Sequence, residues 1–281
     1  MPLTRQHWDD LLVSKDADTL LENLQQDGTL AATFPEVQAM VGFGGGDSGH
    51  KDLWGHTKKV VIQCVPRLNV RWAALFHDVG KPQAFRRVGG EICFHHHEAV
   101  STRLFEQAMD RTGLFAKDPQ VALGISFLIR NVGFVEAYES SWTDSAVRRL
   151  GKDLGVYVQD TLALSRGDIT TANDGKRKRF LAQVSELEHR IEDLAKQDAI
   201  PPALPKGLGD ALGARLGLPP GRELGEVMKA LKARVEAGEL PRNAAIEVYL
   251  PHASLPPTRM HPQEVTSESI PWPKDAIEKA L

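Results

Sequence analysis

The sequence predicts an all-α fold, and two observations support this prediction. Segments in which apolar and polar residues alternate, as they do in half-buried strands, are nearly absent. Apolar residues instead recur every three or four positions, the spacing of a buried helix face, in several runs: Leu11, Leu12, Leu20, Leu21 and Leu24; Val60, Val61 and Cys64; Val121, Ile125, Leu128 and Ile129. We therefore expect a bundle of helices.

Three stretches rich in glycine and proline interrupt the helical pattern. They cover residues 41–49, 79–91 and 199–207, and the last is the strongest candidate for a domain boundary. The glycine cluster at 41–49 has no strand before it and no helix directly after it, so we interpret it as a connection rather than a phosphate-binding loop. The predicted parts are an N-terminal helical segment with this Gly-rich loop, a metal-binding domain, and a small C-terminal helical lobe with a Pro-rich tail: residues 1–49, 50–200 and 201–281.

Composition limits the classes of function. The 281 residues are 42% hydrophobic and carry a formal net charge of −3, so a substantial core is expected and any site for a polyanion must be local. The two cysteines, Cys64 and Cys93, lie among apolar neighbours, which favours buried thiols in a reducing compartment. Because no apolar run approaches the ~20 residues of a membrane span, we expect a cytoplasmic protein that does not bind membranes.

The segment RWAALFHDVGKPQAF, residues 71–85, contains the first candidate for a functional site. Val70, Ala73, Ala74 and His77 are spaced so that His77 lies on the buried face of a helix, and Asp78 borders the same face. A buried carboxylate beside a buried imidazole is costly without a partner, and a divalent cation satisfies both groups.

Two further segments can complete a metal site. His56 shares a helical face with Leu53, Val60 and Cys64, and Asp168 lies within one turn of Leu164 in an apolar, helix-compatible run. A single histidine on an apolar face is more often an ordinary core residue, but two such histidines and two aspartates favour a metal. Nitrogen and oxygen ligands without thiolates suit one divalent ion: manganese, iron, cobalt, nickel or magnesium.

These residues, together with the motifs around them, carry a resemblance to a known family. The pattern of His56, the His77-Asp78 pair and Asp168 resembles the HD-domain phosphohydrolase superfamily. The flanking motifs look like the HD-containing C-terminal portion of bacterial tRNA nucleotidyltransferases and poly(A) polymerases: HKDLWGHT, RWAALFHDVGKP, FHHHEAV, TDSAVRRL, GDITTANDGKRKRF and LGLPPGRELGEVMKALKARVEAGELPRN. The resemblance covers residues 30–248 and implies an HD-domain helical bundle.

The resemblance also indicates which residues act beside the metal. In FHHHEAV the position before the glutamate is the functional one in the family, which selects His97 over His95 and His96, and Glu98 would orient His97 or move protons. The break at Gly80-Lys81-Pro82 would bring Lys81 to the rim, where an ammonium can neutralise a phosphate.

Basic residues elsewhere in the chain are weaker candidates. On the helix predicted to begin at Thr143 or Asp144, Arg148 is the better candidate for a phosphate contact, although a surface ion pair is the more common use of such an arginine. The run Lys176-Arg177-Lys178-Arg179 either extends an anion-attracting rim or is a solvated helix face.

The sequence departs from the family pattern in two places. The first 40 residues offer no nucleotidyltransferase head, with its Gly-Ser loop and paired aspartates, so nucleotide addition is not expected. Asn131 and Val132 stand where many relatives carry a histidine, which favours one metal ion over two.

We therefore expect a stand-alone, metal-dependent phosphohydrolase that uses a metal-activated water. Its substrate would be a small phosphorylated molecule, either a nucleotide or a related ester, cleaved as a phosphomonoester or as a 2′,3′-cyclic phosphodiester. One alternative is a non-catalytic module that binds tRNA or other RNA. Another is a structural or regulatory metal site in an interaction protein. The sequence leaves the oligomeric state open.

Overall fold

The structure is a computed structural model that describes residues 3–44, 52–89 and 91–254. The chain divides into two compact units, residues 1–197 and 198–281. In the first unit the helices and strands described are α1 Arg5–Val13, α2 Ala17–Gln26, α3 Thr29–Thr33, α4 Pro35–Gln38, α5 Leu53–Gln63, α6 Leu68–Phe76, α7 Lys81–Ala84, β1 Arg86–Val88, β2 Glu91–Cys93, α8 His97–Thr112, α9 Pro119–Glu136, α10 Asp144–Leu154, α11 Val158–Asp168 and α12 Asp174–Ala199, which runs into the second unit. The second unit contains α13 Leu208–Leu216, α14 Arg222–Glu236 and α15 Ile246–Tyr249.

The all-α prediction is confirmed, with one addition. Residues 86–88 and 91–93 form a short antiparallel pair of strands, in which Arg86 pairs with Cys93 and Val88 pairs with Glu91. Its strands are three residues long, too short for an alternating pattern to stand out in the sequence. The stretch predicted to be irregular between 79 and 91 therefore contains α7 and β1. Cys93 lies in β2 and is only partly buried, unlike Cys64.

Helix α6 is the centre of the first unit. Residues 70–76 are all buried, because α6 packs against α1, α5, α9 and α11 on different sides. Trp72 and Phe76 lie in an aromatic cluster with Phe34. The one charged side chain in this run, Arg71, donates to the carbonyl oxygens of Cys64 and Leu12 at 2.9 Å each, which compensates its burial. The core therefore fixes α6, and with it the residues that follow.

The second unit has a separate small core. Leu208 and Leu212 of α13 pack with Val227 and Leu231 of α14. The buried Tyr249 donates its hydroxyl to the carbonyl oxygen of Pro241 at 2.5 Å. The lobe is thus helical, as expected. Most of the Pro-rich tail lies outside the described residues, as do residues 45–49 of the glycine cluster.

None of the helices in residues 3–44, 52–89 and 91–254 has both the length and the apolar character needed to cross a membrane.

Candidate metal centre

Three helices bring the four predicted ligands together. His56 lies in the second turn of α5, and Asp168 is the last residue of α11. His77 and Asp78 follow α6, which ends at Phe76 rather than including them, with His77 as its C-cap residue. His77 and Asp78 are 2% and 1% exposed, so the centre lies at the edge of the core.

The side chains of these four residues meet in one cluster, in which His56, His77 and Asp78 are all close to one another. The Nε2 atoms of His56 and His77 are 3.3 Å apart, and each is 3.4 Å from Oδ2 of Asp78. Oδ1 of Asp168 is 2.9 Å from Nε2 of His56 and 3.4 Å from Nε2 of His77. Atoms bound about 2.1 Å from a common ion are about 3.0 Å apart in an octahedral arrangement and about 3.4 Å apart in a tetrahedral one. The spacing of His56, His77 and Asp78 therefore fits the binding of a single ion, and Asp168 lies against the two imidazoles of that group.

Hydrogen bonds on the far side of the imidazoles orient them toward this cluster. Nδ1 of His77 lies 2.8 Å from the carbonyl oxygen of Ala74. Since a carbonyl only accepts, Nδ1 carries the proton, and the lone pair of the neutral ring is on Nε2. Nδ1 of His56 is 3.0 Å from Oγ1 of Thr170. Such outer contacts are typical of histidines that bind metals.

The negative charge of the two buried carboxylates at this centre also favours the binding of a cation. Burial disfavours the charged form of His77, but the Asp78 and Asp168 carboxylates outweigh burial and raise the pKa of His77 well above its ordinary value. Burial would raise the pKa of the Asp78 carboxyl, but His77 and His56 hold it well below its ordinary value. Without a metal the carboxylates are thus balanced by protons on imidazole, and a divalent ion can replace those protons.

Asp168 supplies an independent test of this fit. Its Oδ1 is buried, and no donor in the described part of the chain reaches it with hydrogen-bond geometry, although two imidazole nitrogens are close. A buried carboxylate oxygen without a partner is costly. Lone pairs of nitrogen and oxygen at these separations repel one another unless a proton or a metal cation lies between them. The donor set therefore fits a divalent metal ion.

Lys81 and His97 approach Asp78 from the two sides of its carboxylate. Nζ of Lys81 is 2.7 Å from Oδ2, and Nε2 of His97 is 3.5 Å from Oδ1. The sequence predicted Lys81 at the rim, where it could neutralise a phosphate. The structure places its ammonium against Asp78, since a buried carboxylate needs a nearby charge, and contact with a phosphate stays a prediction. Burial acts to lower the pKa of Lys81, but Asp78 outweighs burial and raises it.

Glu98 stands behind His97. Nδ1 of His97 is 3.0 Å from the carbonyl oxygen of Phe94 and 3.5 Å from Oε2 of Glu98. Glu98 packs against α9 at Gly133, where a β-carbon would lie 2.7 Å from Oε1 of Glu98. The structure thus places His97 beside Asp78 and Glu98 beside His97, while His95 and His96 are exposed; the roles given to His97 and Glu98 stay predictions.

The glycine of the HDVGKP segment is required by packing. A β-carbon on Gly80 would overlap the carbonyl oxygen of His97 and lie 2.6 Å from the backbone nitrogen of Ser101. The Gly80 backbone nitrogen also donates to Oγ of Ser101 at 2.9 Å. The break after Asp78 therefore lets the first turn of α8, which carries His97, approach the centre.

The other predicted residues are placed as follows. Arg148 donates to Oε1 of Gln197 at 3.2 Å on α12, so its role in substrate binding stays a prediction. Asn131 donates to the carbonyl oxygen of Phe127 at 2.7 Å, and Val132 is a core residue. The preference for one metal ion also stays a prediction. The basic run on α12, residues 176–179, is exposed.

Sequence reasoning missed Glu136, the last residue of α9. Its overall exposure is that of a surface residue, yet neighbouring protein atoms desolvate its carboxyl group, and with Asp168 they raise the pKa of Glu136 well above its ordinary value. The only available signal was a carboxylate in the last turn of an otherwise apolar helix, where the helix dipole disfavours negative charge. Thr170, which contacts His56, gave no signal at all.

Gly167 allows α11 and α5 to pack closely just before Asp168. A β-carbon there would overlap Sγ of Cys64, a buried thiol whose pKa burial raises to about 12. We expect Gly167→Ala to lower the free energy of unfolding by about 1–3 kcal/mol, as overpacked cores do, despite the better helix propensity of alanine. Urea unfolding measures this change.

A double-mutant cycle identifies the cause. Adding Cys64→Ala removes the overlapping sulfur, so the double variant should recover much of the loss. An equal cost of Gly167→Ala in both backgrounds would contradict this explanation.

The fold and the site define a class of protein, namely a helical protein with a candidate metal centre of histidine and aspartate at the junction of three helices. Comparison with known proteins shows which of them this chain resembles. The chain is 31% identical over 242 residues to an A-adding tRNA nucleotidyltransferase of Deinococcus radiodurans, a match that covers 82% of this chain and 53% of that protein. It is 27% identical over 249 residues to a CC-adding tRNA nucleotidyltransferase of Thermus thermophilus, covering 85% and 54%.

A multifunctional CCA protein of Ectopseudomonas mendocina is 27% identical over 233 residues, covering 79% of this chain and 54% of that protein. No family model matches the chain. The chain is thus related to tRNA nucleotidyltransferases over most of its length, and it spans about half the length of these relatives.

Proposed function

We propose that this chain is a metal-dependent phosphohydrolase of the HD-domain type, acting on a nucleotide or a related phosphate ester. The observation that carries the proposal is the convergence of His56, His77, Asp78 and Asp168, with neighbouring donor atoms 2.9–3.4 Å apart. The unpartnered Oδ1 of Asp168 supports it. Similarity to enzymes named for work on tRNA favours a substrate of nucleotide type.

The four residues would hold one divalent ion: manganese, iron, cobalt, nickel or magnesium. When bound, such an ion lowers the pKa of a water molecule and polarises a phosphoryl oxygen. The protein then has to orient the ligands, supply positive charge for the phosphate and move a proton.

The residues around Asp78 can perform the last two tasks. Lys81 places an ammonium group 2.7 Å from Oδ2 of Asp78 and remains about one-fifth exposed, so it can also attract a phosphate oxygen. Because Nδ1 of His97 faces a carbonyl, its Nε2 is the atom free to exchange a proton with water or a leaving oxygen. Glu98 would steady the imidazolium form of His97.

The experiment is an assay of phosphate release or ring opening on the chelated protein with each metal restored in turn. The panel contains nucleoside monophosphates, 2′,3′-cyclic nucleotides and a generic aryl phosphate. We expect turnover only after a metal is added, on at least one member of the panel. A protein that binds a divalent ion at these four residues yet hydrolyses none of the panel with any metal would overturn the proposal.

A second candidate function is a non-catalytic RNA-binding module. The exposed basic run Lys176 to Arg179 on α12, together with relatives named for tRNA, favours it. Such a module would bind tRNA with a strong dependence on salt and would keep that affinity after chelation, whereas the phosphohydrolase would lose its turnover.

A further inference from the structure

A cavity opens directly beside Asp168. Its volume is about 300 Å³, and its walls are the end of α9, the end of α11 with the residues that follow it, and α12. We infer that this cavity binds the nucleoside portion of a mononucleotide whose phosphate lies at the metal centre. This inference rests on the proposed function and names the part of the substrate that the cavity recognises.

The walls of the cavity suit a flat, weakly polar group. Val135 and Val184 are buried and form its apolar floor, together with Ile169. Phe180 of α12 also lines the cavity, and 40% of its surface is exposed, so its ring is accessible to a ligand. Nucleobases stack on such rings whatever their identity.

A polar atom inside the cavity lacks a partner. Ser165 is 1% exposed and lines the cavity, and its Oγ makes no hydrogen bond to any residue that the structure describes. A helical serine can satisfy itself by donating to the carbonyl four residues earlier, so an unused hydroxyl is costly unless something else bonds to it. A nucleoside offers ring nitrogens, exocyclic groups and ribose hydroxyls as partners.

Size limits the ligand to a single nucleotide. About 300 Å³ is at the lower end of the ~300–1,000 Å³ range of small-molecule sites, which accommodates one nucleoside and no stack of bases. The charged residues that line the cavity are Glu136 and Asp168; Arg179 lies outside it, with its guanidinium carbon 5.3 Å from the centre of the Phe180 ring. Asp168 belongs both to this cavity and to the cluster of predicted metal ligands. A nucleoside in the cavity can therefore be bonded to a phosphate at the metal centre.

The test is equilibrium binding of the full chain to AMP and CMP, with ribose 5-phosphate as the ligand that lacks a base. Calorimetry is run with manganese and, separately, with a chelator. We expect the wild type to bind the nucleotides at least tenfold more tightly than ribose 5-phosphate. Phe180→Leu should reduce this preference by about fivefold to a hundredfold, the range of base–aromatic stacking.

Phe134→Leu is the matched control, because Phe134 is 54% exposed and does not line the cavity. It should leave the preference for nucleotides unchanged. A wild type that binds AMP and CMP no better than ribose 5-phosphate, or equal effects of the two leucine variants, would overturn the inference.

Ser165→Ala gives a second test. Removal of an unsatisfied hydroxyl should leave the stability unchanged or raise it, while nucleotide affinity falls severalfold. A loss of stability without a change in affinity would contradict the role of Ser165.

The two proposals fail separately. Base-dependent binding without hydrolysis by any metal would leave the cavity assignment standing and remove the phosphohydrolase. Metal-dependent hydrolysis with no preference for a base would do the opposite.

Discussion

Asp78→Ala should lower metal-dependent hydrolysis by about a thousandfold or more. The variant removes a carboxylate that is a predicted metal ligand. Among the described residues, it is the only carboxylate in contact with all four of Lys81, His97, His56 and His77. The remaining three ligands would bind a divalent ion far more weakly, and the Lys81 ammonium would lose its partner. We would measure kcat/KM with saturating metal and, separately, metal affinity by calorimetry.

Stability has to be measured alongside activity. Breaking a buried ion pair by removing one partner costs about 3–5 kcal/mol, and Asp78 is 1% exposed. If Asp78→Ala does not fold, Asp78→Asn keeps the volume and one of the two side-chain oxygens while removing the charge, and it should show the same loss of activity.

Asp153→Ala is the matched control for charge. Asp153 is a surface residue paired with Arg149 at 3.7 Å, and its side chain is 67% exposed. Its loss should leave both activity and metal affinity within about twofold, since exposed pairs contribute little. A folded Asp78→Ala protein with near-normal metal-dependent turnover would contradict the site assignment.

The sequence was sufficient to identify residues whose position follows from helical periodicity. His56 and His77 are spaced with buried apolar residues, and the structure brings their Nε2 atoms to within 3.3 Å. Periodicity also indicated α11 up to Asp168. These predictions depend only on which side of a helix faces the core, and that information is local.

Features that arise from contacts between distant segments could not be predicted in this way. Glu136 approaches Asp168 from α9, and Thr170 contacts His56 from a position 114 residues later. The pairing of Lys81 with Asp78 depends on how deeply the carboxylate is buried, which no pattern in the sequence reveals. The cavity beside Ser165 exists only because α12 covers the ends of α9 and α11.

Gly80→Ala should be the most damaging change that leaves every chemical group of the centre in place. Its β-carbon would overlap the His97 carbonyl oxygen and crowd Ser101, and these are backbone atoms that move only if the first turn of α8 moves. We expect about 3 kcal/mol less stability, at the upper end of the cost of overpacking. Because His97 moves with that turn, we also expect a tenfold to hundredfold loss of kcat.

The matched control is Gly225→Ala in α14, where a β-carbon would meet nothing within 4 Å. Alanine there should raise stability slightly through its better helix propensity and leave activity unchanged. Metal affinity separates the two possible causes in Gly80→Ala. If only α8 is displaced, the four ligands keep their metal while turnover falls, because His97 is not one of them. Parallel losses of metal affinity and turnover would instead mean that the Gly80 backbone positions Asp78 itself. This variant would then give no support to proton exchange by His97.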